Sequence, residues 1–148
     1  MPPLSSRLTL SFGSRIEALD LLDDVAAVWL NGVSAEAEEV RCEQIGLALR
    51  EAAANAILHG NDSREDKKVQ IELSFRNPEL LIRVKDEGEG FDPDSLPDPL
   101  LPENLMRKTG RGILLMRAYM NEVDFEFDGG TVAIMRCAFA GEADTPGR

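Results

Sequence analysis

Two runs of strict alternation stand back to back between residues 69 and 84. In the first, Val69, Ile71, Leu73 and Phe75 alternate with Gln70, Glu72 and Ser74; in the second, Leu80, Ile82 and Val84 alternate with Leu81, Arg83 and Lys85. A period of two puts each apolar set on one face of a strand. Asn77-Pro78 between them is turn chemistry. The chain must therefore form an antiparallel hairpin with one apolar face, and another part of it has to cover that face. Leu8, Leu10 and Phe12, alternating with Thr9 and Ser11, predict a short first strand. Val123, Phe125 and Phe127 alternate with acids, Asp128-Gly129-Gly130 turns, and Thr131 to Phe139 returns as a last strand.

The cover comes from helical segments. Ser14 is placed to cap a helix running to about Asn31, with Glu17 as capping-box partner and Asn31-Gly32 as the stop. Leu21, Leu22, Val25 and Trp29 read as its core side, and the Met and Phe residues elsewhere also read as core. Ser34 is placed to cap a longer second helix reaching about Leu58, and a third spans Arg111 to about Asn121. Helices fall in blocks between hairpins and do not alternate with single strands. The expected fold class is α+β: a two-layer sandwich whose mostly antiparallel sheet of about five strands is covered on one face by three helices. No internal repeat is evident. A single domain over 1–140 is expected, with a loose polar tail at 141–148.

Composition removes several classes of function. The net charge of −11 disfavours direct nucleic-acid binding, whose affinity comes mainly from lysine and arginine. No run approaches the roughly 18 apolar residues of a membrane span. The amino terminus lacks the apolar stretch of a secretion signal, so a cytoplasmic protein is expected. Cys42 and Cys137 lack metal-ligand spacing and read as buried free thiols.

Three segments could carry chemistry. In "EAAANAILHGND", Ile45, Ala48, Leu49, Ala52 and Ala56 share one stripe of the second helix. Asn55 projects about 80° and Glu51 about 120° from the centre of that stripe. Two readings fit this pair: a solvated polar edge with an i,i+4 contact, or a metal-binding amide beside a general base, open to a cleft. In "VKDEGEGFDP", a strand delivers Asp86, and Gly88 and Gly90 permit close approach of a ligand. A lone Gly-x-Gly is more often a turn, and neither a dinucleotide fingerprint nor a Walker-type loop is present. In "KTGRGILLMRAYM", Gly110 and Gly112 open a helix whose free N–H groups, with Lys108 and Arg111, suit an anion; the plain alternative is a flexible helix entry. Between the last two lies "DPDSLPDPLLPENLMRKT", 92–109, with four prolines and no periodicity, by its length a lid, a binding loop or disorder. His59 alone reads as a helix-end or packing residue.

The order of these segments is more specific than any one of them. Glu-x-x-x-Asn-Ala-x-x-His-Gly-Asn on a helix, Asp-x-Gly-x-Gly-Phe after a strand, a long lid and Gly-x-Gly at a helix start together resemble the Bergerat-type ATP site. Within that GHKL superfamily the chain is similar to the bacterial anti-sigma factor serine/threonine kinases, from Leu8 to Phe139. "GRGILLMRAYMNEVDF" is particularly close to that family. The resemblance implies an ATP-dependent protein kinase, with Asn55 on a Mg²⁺ ion that bridges the ATP phosphates and Glu51 as general base. It implies that Asp86 reads adenine through its exocyclic amine and that Gly88 and Gly90 shape the pocket floor. Gly110 and Gly112, with Lys108 and Arg111, would face phosphate, and Thr131 would support the adenine site, often through water. It further implies an anti-anti-sigma (STAS) partner as phosphate acceptor, a sigma factor as the bound target, and a possible homodimer. The sequence departs from some relatives in two places: lysine stands where an arginine is described near Lys108, and the acidic first helix lacks an expected basic partner-binding residue. The alternatives are a nucleotide-dependent binding module that transfers no phosphate, and a histidine-kinase-like ATPase domain. Against the latter, no acceptor histidine or dimerising helical hairpin precedes the site.

Overall fold

In the computed structural model, residues 5–34, 38–89 and 111–139 are described. Strand β1 spans Ser5–Gly13, helices α1 and α2 span Ala18–Val33 and Glu39–Asn55, and strands β2 and β3 span Lys68–Arg76 and Glu79–Lys85. Helix α3 covers Arg111–Tyr119, and β4 and β5 run over Glu122–Phe127 and Thr131–Ala138. The strands form one sheet in the order β1-β2-β3-β5-β4, with every neighbouring pair antiparallel. This is the expected α+β sandwich, with three helices on one face. No helix among the described residues is long and apolar enough to cross a membrane.

The alternation decides which face is covered. Val69, Ile71, Leu73 and Phe75 on β2 and Leu80, Ile82 and Val84 on β3 are buried together in the core. The helical stripe lies against them: Ile45, Ala48, Leu49, Ala52 and Ala56 are all buried. α2 is the central helix, in contact with both α1 and α3. At the sheet edge, β4 keeps Glu122, Asp124 and Glu126 exposed, a charged row that discourages pairing with a further strand. Cys42 and Cys137 are free and buried, and burial pushes the Cys137 thiol up to about 11.

Several expectations about helix ends are corrected. Ser14 caps nothing: α1 starts at Ala18, and its N-cap Glu17 makes no side-chain capping bond. Ser14 is instead buried, its hydroxyl donating to the Lys67 carbonyl at 2.7 Å. α1 continues through Gly32 to Val33, and Ser34 is its C-cap, the backbone N–H donating to the Leu30 carbonyl; Ser34 is not the cap of α2. α2 is α-helical only to Asn55 and then widens into a π turn, Ala56–Gly60. α3 stops at Tyr119, short of Asn121. On α1, Leu22 is buried, Val25 and Trp29 are half-buried and Leu21 is exposed, so that side is only partly core. Phe127, at the end of the edge strand, is exposed as well.

Candidate functional site

The last α-helical turn of α2 carries Glu51 and Asn55, both half-buried at the margin of the core stripe. Neither side chain forms a hydrogen bond or ion pair among the described residues. The first turn of α3 sits directly opposite. A Cβ built on Gly112 would lie 2.8 Å from Glu51 Oε2 and 3.5 Å from Asn55 Nδ2. The acid and the amide therefore face one another's neighbourhood across a glycine, and a side chain at position 112 would press on both.

Deeper in, the chain leaving β3 presents Asp86, which is only 1% exposed. Its Oδ1 accepts the backbone N–H of Gly88 at 2.9 Å and of Thr131 at 2.8 Å, and its own N–H donates to the Thr131 carbonyl at 3.0 Å. The carboxylate is thus oriented by β5 on one side and by its own turn on the other. Three glycines from separate segments make room for it. A Cβ on Gly60, in the π turn, would fall 1.9 Å from Asp86 Oδ2. One on Gly88 would fall 1.8 Å from the Gly60 carbonyl oxygen, and one on Gly130 1.8 Å from the Asp86 carbonyl oxygen. Contacts under 3 Å are not formed by real side chains, so all three backbones depend on glycine here.

Asn55, Asp86 and Thr131 line one hollow, whose apolar walls are Ala52, Ala56, Val84, Met116, Phe125 and Ala133. The hollow is small, about 10 Å³, so it marks where a few polar groups converge on apolar walls and has to widen to take a ligand. The Thr131 hydroxyl is buried with no hydrogen-bond partner among the described residues, which leaves it able to meet a water or a ligand group. Two larger hollows lie elsewhere, one by the turn joining β2 to β3 and one between α1 and α2; neither contains Asp86, Asn55 or Glu51.

The structure brings Glu51, Asn55 and Gly112 together at one end of the site and Asp86, Gly88 and Thr131 at the other. Gly90, Lys108, Gly110 and the 92–109 lid lie outside the described residues, and Arg111 is placed only as the first residue of α3. His59 is exposed. Sequence reasoning assigned no role to Gly60, Asn61 and Gly130. His-Gly-Asn is legible as a motif and Gly129-Gly130 as a turn, but the close approach to Asp86 is tertiary. Among the described residues, no group of three or more His, Cys, Asp or Glu side chains gathers to hold a metal alone. A single amide such as Asn55 suits a hard cation that takes most of its oxygens from phosphate and water, as Mg²⁺ does.

Several known proteins are similar to this chain. The histidine kinase-like ATPase domain family matches residues 12–137. An anti-sigma F factor of Clostridium beijerinckii is 26% identical over 138 residues, covering 90% of this chain and 95% of the relative. The serine-protein kinase RsbW of Listeria innocua is 24% identical over 143 residues, 91% of this chain and 88% of the relative. An anti-sigma F factor of Clostridium perfringens reaches 38% over 98 residues, 62% of this chain and 69% of the relative.

Proposed function

The chain belongs to the histidine kinase-like ATPase domain family and, within it, to the anti-sigma factor kinases; from that premise we propose how its residues divide the work of an ATP-dependent serine/threonine kinase. The observation that carries the proposal is the single hollow lined by Asn55, Asp86 and Thr131, with Glu51 beside Asn55 under α3.

Asp86, held by two backbone N–H groups, accepts a hydrogen bond from the exocyclic amine of adenine. The Thr131 hydroxyl supplies a second polar contact there, directly or through a water. The apolar walls exclude solvent from the purine faces, and Gly88, packed against Gly60, holds the turn that carries Asp86. Asn55 would hold Mg²⁺, which when bound supplies charge neutralisation for the phosphates. Gly112 at the start of α3 keeps the phosphate end uncrowded, and the family resemblance implies that Gly90, Lys108, Gly110 and Arg111 meet the same nucleotide. Glu51 accepts the proton of a serine or threonine hydroxyl as its oxygen attacks the γ-phosphorus, and ADP leaves. Phosphoryl transfer needs placement and charge stabilisation more than covalent help, and this inventory supplies both.

The acceptor we propose is an anti-anti-sigma protein of the STAS type, and the target held when that partner is phosphorylated is a sigma factor. The names of the relatives support this partner-switching scheme. The resemblance also supports a homodimer, a single ATP-binding domain over 1–140 and action in the cytoplasm. The test is incubation with labelled ATP and candidate STAS partners. Phosphoserine or phosphothreonine on the partner supports kinase action, whereas nucleotide-dependent binding with no transferred label would leave only a regulatory binding module.

A further inference from the structure

Asn61 is 0% exposed, yet it is neither a lining residue of the hollow nor part of the hydrophobic core. Its carboxamide is used three times. Nδ2 donates to Ser14 Oγ at 2.8 Å and to the Lys68 carbonyl at 3.0 Å, while Oδ1 accepts the backbone N–H of Glu87 at 2.7 Å. These partners fix which atom is oxygen, since an amide N–H can only donate and a backbone carbonyl can only accept. The backbone N–H of Asn61 donates to the Ala56 carbonyl at 2.8 Å, closing the π turn. One residue thus joins the π turn that follows Asn55, the end of β1, the start of β2 and the chain just beyond Asp86.

The position along the chain gives this hub a consequence. Asn61 follows Gly60, whose Cα stands against the Asp86 carboxylate, and it grips Glu87, the residue after Asp86. A second link runs the same way, from the Lys68 N–H to Glu87 Oε1. With Thr131 and Gly88 holding the Asp86 side chain, Asn61 is what holds its backbone to the helical layer. We infer that Asn61 is a positioning residue for base recognition: its carboxamide sets where Asp86 stands relative to the α2 end of the site. This rests on the reading of Asp86 as the adenine contact.

The test separates the two ideas by the ligand chosen. Affinities for ATP and for purine riboside triphosphate, which lacks the exocyclic amine, are measured on wild type, Asn61→Ala and Ser14→Ala. Wild type is expected to prefer ATP by about tenfold, the worth of one well-made hydrogen bond. Asn61→Ala is expected to lose most of that preference while its affinity for the analogue stays within about twofold. Ser14→Ala, which removes one of the two Nδ2 acceptors, is expected to lose part of it, about two- to threefold. If both ligands weaken in parallel in Asn61→Ala, its role is only structural and the inference fails. Should that variant not fold, an unchanged preference in Ser14→Ala overturns it equally. A wild type with no preference refutes the reading of Asp86 itself, and this inference with it.

Discussion

The two ends of the hollow are built in opposite ways. Around Asp86 the seat is buried and backbone-bound: the carboxylate receives two N–H groups, Gly60 packs against it, Gly88 against Gly60 and Gly130 against the Asp86 carbonyl, each too tightly for a side chain. Around Glu51 and Asn55 both side chains are half-buried, without hydrogen-bond or ion-pair partners among the described residues, and Gly112 stands close to both. The difference follows from what each end has to do under the proposed function. A base is recognised by the same atoms every time, so a seat frozen by tertiary contacts serves it. A transfer end has to admit phosphate and a second protein, so polar groups kept free of internal bonds can turn to what arrives.

Five substitutions probe that contrast, beginning with the largest effect. Glu51→Gln should lower phosphate transfer to the partner by about 10²–10⁴-fold, the usual range for losing a general base. ATP affinity should stay unchanged, because no part of the adenine seat is touched. Normal phosphorylation by this variant, read from labelled ATP, would remove the base assignment.

Gly60→Ala puts a methyl where Asp86 Oδ2 stands, and overpacking of this kind destabilises by about 1–3 kcal/mol. Thermal unfolding should show that loss, accompanied by weaker ATP binding. The same change at Gly46, within α2 and with nothing inside 4 Å of its Cβ, should instead stabilise by about 0.5–1 kcal/mol. Equal behaviour of the two variants would mean that the seat is not tightly packed.

Thr131→Val removes a hydroxyl without a partner among the described residues, so the free protein should unfold at the same temperature or slightly higher. ATP affinity should fall about three- to fivefold if that hydroxyl meets the nucleotide. The smallest effect is expected far from both ends. Arg50 pairs with Asp20 and Asp23 of α1 on the surface. Arg50→Met should therefore change stability by less than about 1 kcal/mol and leave ATP binding alone.

How much of this was legible in the sequence depended on the range of the interaction involved. Strands β2 to β5 came within a residue, because alternation is a local signal that one covered face enforces, whereas β1 begins at Ser5, three residues before the expected Leu8. The stripe of α2 was legible for the same reason, and so was the placement of Asn55 and Glu51 at its margin. The serines were misread because capping is only one use for a hydroxyl. Ser14 is claimed by the Lys67 carbonyl and by Asn61, residues 53 and 47 positions away along the chain. The π turn has no local signature either; it ends where Asn61 is gripped from β1, β2 and the chain beyond β3. Gly60 and Gly130 looked like ordinary helix-end and turn glycines, and only the fold reveals that each lies against Asp86.

The division between a fixed recognition end and an open transfer end is tested most directly by the turnover of Asp86→Asn at saturating ATP. This substitution alters the base seat while leaving Glu51, Asn55 and Gly112 untouched, so KM for ATP should rise and kcat for phosphorylation of the partner should return close to the wild-type value. A kcat that stays as low as that of Glu51→Gln, however much ATP is supplied, would contradict the account.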